Sequence, residues 1–480
     1  IFQPAAPLAS QPTMRIVFLT TGTRGDVQPV VTIACGAKAA GHSVRVVTNA
    51  CYKSFIESHD LEFYAMGGDP EAMMRSKEVQ EALAVGDVMK MLRLTAPVGR
   101  QIMLDSFAAA ETGTSGADLL VSTPMAITPT FCMAEKLGVP MAVLGLVPIH
   151  PSAELPNVVF GAPPGAPPDA IVAGHAMMCK GGWKNSADLV NEWRTKTLGL
   201  PPIVCELGLT GILYTMGVPT VTAFSHHIVP RPSDYPSAVI EGAYLYLDTD
   251  GTAKLDDVLE AFLSAGPKPV FLSFGSMPAP DPGSLADLAV EVVRRLGKRV
   301  VLAAGWTDGL DASTFPDEVL LIKGAPYRAL FPRCCAIVHH VGAGTAAAVL
   351  RSGTPSVPCP VLMDQPFWAR RMFELGVASE PLPFSKVTAD GLIDRLTQAM
   401  APSVVEAAAA LGEKIQAEGD GVSQVLAGLL KAAEMGPVVA RMNPGSLTTE
   451  HIDARFPGSE ARVSGGKDEE EVEATGSLFA

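Results

Sequence analysis

Two short runs in the C-terminal half hold residues whose types and order can do chemistry. His339-His340-Val341-Gly342-Ala343-Gly344-Thr345 closes an apolar strand and opens a small-residue helix. Gly342 and Gly344 let the backbone turn closely, Thr345 places a hydroxyl at the helix start, and His340 adds an imidazole. Free N–H groups and the positive helix end then converge, as the holding of a diphosphate requires. A lone histidine in such a place is more often a packed structural residue. Further on, Asp364-Gln365-Pro366-Phe367-Trp368 sets a carboxylate beside an amide. That pair can accept from and donate to vicinal sugar hydroxyls, although Asp-Gln after a strand is, alone, an ordinary helix N-cap.

These runs need rigid elements to aim them. Arg15 to Thr20 is an apolar strand that leads into a Gly-containing loop, Thr21 to Asp26. A helix is expected from about Pro29, which suits a first helical turn, up to Gly41. Ser43 to Thr48 is the next strand. Strand, tight loop, helix and strand make a βαβ unit with a parallel pair buried on both faces. The same opening recurs at Pro269 to Phe274, followed by Gly275-Ser276 and a helix from about Ser284. The fold expected is therefore α/β, with two Rossmann-like doubly wound domains facing a central cleft, where such sheets bind ligands. The boundaries read as a disordered segment 1–13, an N-terminal domain 14–241, a linker 242–267, a C-terminal domain 268–439 and a disordered acidic tail 440–480. Residues 70–110 are helical in periodicity and rich in methionine.

Composition excludes other classes. The 480 residues are 48% hydrophobic and 18% charged, which is globular. The net charge of -14 speaks against nucleic-acid binding, which needs a basic surface. Part of that charge lies in Asp468-Glu469-Glu470-Glu471. The eight cysteines show no CxxC pair, so reduced thiols and a cytoplasmic location are expected. Residues 1–13 carry no signal-peptide pattern. The most apolar stretch, Ile203 to Phe224, is broken by Glu206, Gly208, Gly211, Gly217 and Pro219, and reads as a buried helix followed by a strand rather than a membrane span. The first loop lacks the Gly-x-Gly-x-x-Gly spacing of a dinucleotide-dependent dehydrogenase.

Taken together, His339 to Trp368 closely resembles the donor-binding signature of nucleotide-sugar-dependent glycosyltransferases of the GT-B fold. Thr20-Thr-Gly-Thr-Arg-Gly-Asp-Val-Gln-Pro29 resembles the opening motif of sterol 3-beta-glucosyltransferases and related bacterial antibiotic glycosyltransferases. Trp193-Arg194 with Leu198-Gly-Leu-Pro-Pro202, and Phe224-Ser225 with Val229-Pro-Arg-Pro-Ser-Asp234, are similar to the sterol enzymes. Two departures stand out. Val341 occupies a position where the family has glycine, and Tyr327 one where it has histidine, while Leu330-Phe-Pro-Arg333 is intact.

The resemblance implies a role for each matching residue. Asp26 would be the general base for the acceptor hydroxyl, in a loop supported by Gly22, Arg24 and Gly25. His340, Gly342, Gly344 and Thr345 would contact the diphosphate, with Ser273, Gly275 and Ser276 facing it across the cleft; Ser273 and Ser276 also suit plain turn chemistry. Asp364 and Gln365 would hold the sugar. The reaction implied is inverting transfer of a hexose from UDP-glucose, as co-substrate, to a sterol or similar lipophilic acceptor, with peripheral membrane contact and no cofactor. No Asp-x-Asp box or His/Cys cluster stands at these positions, so no obligatory metal is expected. A macrolide or other secondary-metabolite glycosyltransferase, or a weakened homologue that binds nucleotide sugar or lipid, are the competing readings.

Overall fold

The computed structural model describes residues 12–247, 254–275, 282–305 and 310–437. Two parallel sheets form its frame. The first contains β1 (Arg15–Leu19), β2 (Ser43–Asn49), β3 (Glu62–Met66), β4 (Leu119–Ser122), β5 (Met141–Gly145), β6 (Thr220–Thr222) and β7 (Val239–Ile240). The second contains β8 (Val270–Ser273), β9 (Val300–Ala303), β10 (Val319–Ile322), β11 (Ala336–His339) and β12 (Ser356–Pro358). Their orders are β3-β2-β1-β4-β5-β6-β7 and β10-β9-β8-β11-β12. β1 is a continuous apolar run because helices cover both sheet faces: Ile16, Val17, Phe18 and Leu19 are fully buried.

Strand order reverses at β1/β4 in one sheet and at β8/β11 in the other. The carboxyl ends of strands at such switch points open into crevices. The Gly-containing loop after β1 and the histidine run after β11 both emerge there.

The bodies are more interwoven than the sequence boundaries imply. The helix Gly421–Glu434, expected in the C-terminal domain, returns to the first. Its Val422, Val425, Leu426 and Leu429 share a core with Ile16 and Phe18 of β1 and with Val30 and Val31. Gly428 lets the helix backbone approach Val221 closely. The expected linker is likewise partly absorbed: Leu259 and Leu263 of helix Asp257–Ser264, and Tyr244, pack with Phe271 and Ile337 of the second body. From the first body, Val79, Ala82, Leu83 and Met91 join Phe274, Leu382 and Phe384. That accounts for part of the methionine-rich region as core, while Met89, Leu92 and Val98 on helix Val88–Gly113 are exposed. Residues 1–11 of the expected disordered N-terminal segment, and the expected acidic tail 440–480, lie outside the described residues.

The segments similar to the sterol enzymes make structural contacts. Trp193 stacks on Phe107 at 4.3 Å and donates to Glu111. Arg194 pairs with Glu135 at 2.7 Å, both nearly buried, and donates to the Pro201 carbonyl. Asp234 accepts from the Ser152 hydroxyl and the Ala153 N–H, tying that loop to the segment after β5. No helix among the described residues is long and apolar enough to cross a membrane.

Candidate active site

Asp26 sits on a helix rather than in a loop. The helix runs Arg24–Ala39, starting earlier than Pro29, because Thr23 and Asp26 form a capping box. The Thr23 N–H donates to Asp26 Oδ2 at 2.8 Å, and the Thr23 hydroxyl accepts from Gly25 N–H. Pro29 is thus inside the helix, still in its early turns. The loop before it is fixed by Thr20 and Thr123 hydroxyls 3.0 Å apart, by Thr21 donating to Asn49, and by Tyr52 donating to the Gly22 carbonyl. Gly22 has φ +127°, and a Cβ there would lie 2.3 Å from Asp26 Oδ2. Arg24 lies over the Phe55 ring at 4.0 Å. Burial is the chief cause that pushes the Asp26 carboxyl up to about 6; the Thr23 N–H opposes it, and the negative charge of Asp364 across the cleft adds to it.

The second body supplies the opposite wall. Gly342 caps helix Ala343–Ser352, whose first intrahelical bond runs from Ala346 N–H to the Gly342 carbonyl. The N–H groups of Ala343, Gly344 and Thr345 precede that bond and are free of the helix ladder. Val341 is fully buried with φ +65°, a conformation costly for a β-branched residue. His340 is wedged between two glycines: a Cβ at Gly275 would lie 2.4 Å from its Cε1, and one at Gly342 would lie 2.6 Å from its Nε2. Its Nδ1 is buried without a partner, and burial pulls the imidazole down to about 4, so it is neutral at physiological pH. Ser273 performs turn chemistry, accepting from Gly275 N–H at 3.1 Å. Ser276 lies outside the described residues. Tyr327 is partly buried against the core, stacked on Phe331 at 4.3 Å.

Asp364 does not cap its helix, Gln365–Glu374; its Oδ2 accepts from Trp368 Nε1 at 2.8 Å. The preceding Met363 has φ +58°, which turns the chain so that the carboxylate points back over the helix. Burial raises its pKa. Gln365 spends its carbonyl oxygen on Val361 and Leu362 N–H groups, leaving the amide N–H₂ for another partner. Sequence reasoning assigns no separate role to Thr23, Tyr52 or Trp368. The capping-box spacing Thr23-x-x-Asp26 was the available signal for the first. Carboxylates thus approach each other from two bodies, and an imidazole and a helix N-terminus without a side-chain cap follow the strand next to the one that leads to Asp364. Such a set can accept a proton, bind hydroxyls and complement a polyanion.

Residues 16–149 match the glycosyltransferase family 28 N-terminal domain, and residues 287–423 match the erythromycin biosynthesis protein CIII-like C-terminal domain. A sterol 3-beta-glucosyltransferase of Arabidopsis thaliana is 32% identical over 88% of this chain and 65% of its own length. The O-mycaminosyltylonolide 6-deoxyallosyltransferase of Streptomyces fradiae is 31% identical over 84% of this chain and 94% of its own. A sterol 3-beta-glucosyltransferase of Penicillium rubens is 31% identical over 98% of this chain, which spans only 33% of that protein. The chain therefore covers less than two thirds of the Arabidopsis relative and about a third of the fungal one. Among solved structures, the kitacinnamycin glycotransferase superposes with a TM-score of 0.63 at 18% identity, covering 90% of this chain and all of that one. The glycosyltransferase VinC, solved in complex with DTDP, superposes with 0.60 at 21% identity, covering 88% and 100%. With its two doubly wound sheets facing one cleft, the chain belongs to the UDP-glycosyltransferase family of GT-B fold, as a member similar to the sterol 3-beta-glucosyltransferases.

Proposed function

We propose that this chain catalyses inverting transfer of a hexose, glucose from UDP-glucose, to the hydroxyl of a sterol or similar lipid. The observation that carries the reading is that Asp26 lies close enough to Asp364 for that carboxylate's charge to raise its pKa, while His340 and the open N-terminus of helix Ala343–Ser352 follow β11, the strand paired with the β12 that leads to Asp364. In this reading Asp26, with Oδ2 held by Thr23, takes the acceptor proton as the oxygen attacks the anomeric carbon. A pKa near 6 suits a base that must be ionised at neutral pH and still hold a proton in the transition state. Negative charge growing on the departing diphosphate meets the N–H groups of Ala343, Gly344 and Thr345 and the His340 imidazole as hydrogen-bond donors. Asp364 and the Gln365 amide hold sugar hydroxyls. Protein groups supply the whole charge complement in this scheme, which invokes no metal or cofactor.

The sterol assignment is supported by the Arabidopsis and Penicillium relatives. The exposed Met89, Leu92 and Val98 suit contact with a membrane from which such an acceptor would come. A macrolide acceptor is the second reading, favoured by the Streptomyces fradiae relative, of which the chain covers 94%. The test is incubation of the purified chain with UDP-glucose or dTDP-sugars and a panel of sterols and macrolide aglycones. Products are read by mass spectrometry, and the anomeric configuration by NMR. A β-glucoside of a sterol is expected. Transfer only to a macrolide would select the second reading, and donor binding without transfer to any acceptor would overturn both.

A further inference from the structure

Away from the cleft, His226, His227 and Glu418 bring three ligand atoms within 4.8 Å of one another. The histidines lie on the turn that follows β6, where Ile228 and Val229 N–H groups bond the Ser225 carbonyl. Glu418 ends helix Pro402–Ala417 at the point where the chain returns to the first body. His226 Nδ1 is 3.3 Å and His227 Nε2 4.0 Å from Glu418 Oε1. The Ser225 hydroxyl donates to that same oxygen at 2.6 Å.

The carboxylate has no lysine or arginine ion-pair partner among the described residues. The Glu418 side chain is 6% exposed and sits at a helix C-terminus, where the dipole disfavours negative charge. The N-terminus of the next helix is already capped by Asp420. The two imidazoles are its ion-pair partners among the described residues, and Tyr244 and Tyr246 are the other titratable groups it faces. Two imidazole ring nitrogens beside one carboxylate oxygen make a donor set that matches a divalent cation. Two nitrogens and a carboxylate oxygen suit zinc(II), with ligand distances of ~2.0–2.2 Å. Such distances put neighbouring ligand atoms ~3.3 Å apart in a tetrahedron, as His226 and Glu418 already are.

We propose that His226, His227 and Glu418 form a zinc-class cation site that clamps the crossover between the two bodies. The metal completes its shell with water, since the histidines are 54% and 31% exposed. Ser225 orients the carboxylate from outside the ligand set. The clamped turn also reaches the sugar-binding wall: Phe224 meets Trp368 edge-on, and Arg371 donates to the Ile228 carbonyl at 2.9 Å. The cation's role is to hold the two walls in register, and it takes no part in the transfer chemistry.

The test uses the full chain stripped with a chelator, then titrated with zinc and, separately, cobalt(II). Expected are one zinc bound per chain, a melting temperature raised by about 2–5 °C at saturation, and cobalt d–d bands without thiolate charge transfer. The double variant His226→Ala/His227→Ala, altered at partly exposed positions, should fold and lose at least ~10²-fold in affinity, since even outer-shell partners are worth 10–100-fold. Glu418→Gln should lose binding as well. Unchanged zinc affinity in the double variant, or no zinc-induced stabilisation of the parent chain, overturns the proposal. Neither readout depends on the identity of the sugar acceptor.

Discussion

The Asp26 carboxylate fills the space that a side chain at Gly22 would need; a Cβ on Gly22 would come within 2.3 Å of Oδ2. Gly22 also has φ +127°, open to glycine and strained for other residues. Gly22→Ala should therefore push the carboxylate away from the acceptor while leaving the opposite wall intact. Turnover is expected to fall by about 10²-fold, the cost of roughly 1 Å of misplacement. UDP affinity measured by calorimetry should stay within about twofold. Equal losses in both would place Gly22 in the general stability of the first body.

Asp26→Asn separates chemistry from stability. The amide can still accept from Thr23 but cannot take the proton, so turnover should drop by at least ~10²-fold with donor binding retained. The parent's carboxyl is raised from 3.8 to about 6 on folding, so the folded state holds a proton that the unfolded chain releases. Stability is thus lost as pH rises from about 4 to about 6, by up to ~3 kcal/mol, and the deficit persists at neutral pH. The variant should melt higher than the parent at about pH 7.5 and level with it near pH 4. In the parent, kcat/KM should fall tenfold per pH unit below about 6.

His340 is neutral in the free protein, at about 4, and an adjacent diphosphate would raise that value. Binding then takes up a proton, so affinity for UDP-glucose should strengthen as pH falls from neutrality and level off near the free value. His340→Ala should abolish that dependence and lower both affinity and turnover, because the contact strengthens as the leaving group gains charge. His339 is the control. It is wholly buried, both ring nitrogens lack partners, and burial lowers it to about 3. Its replacement by alanine should lower the melting temperature and leave the kinetics unchanged.

Asp364→Ala should weaken UDP-glucose binding more than UDP binding, by about 1.5–3 kcal/mol, the worth of a hydrogen bond to a charged group. The buried Trp368 also loses its acceptor, so a lower melting temperature is expected. Parallel titrations with the two nucleotides decide it: equal losses would remove Asp364 from the sugar contacts.

Local residue patterns specify the two βαβ openings, the strands that end at the chemistry and a small-residue helix directly after the His339–Gly344 run, which starts at Ala343, two residues before Thr345. These follow from patterns a few residues long: apolar runs, glycines at the turns and an uncapped helix start. That Asp26 lies in the first turn of a helix is hidden although the box with Thr23 is local, because Pro29 also suits a first helical turn. Other features rest on contacts between distant parts of the chain and had no local signal. The face of helix Gly421–Glu434 is apolar wherever it packs; only the surface of β1, β5 and β6 decides which body owns it. The pKa of Asp26 depends on burial and on Asp364 in the other body. Glu418 meets His226 and His227 because one chain crossover brings a helix end to a strand end. Residue types and spacing specify local geometry, whereas closure of long loops and complementary packing select which distant groups become neighbours.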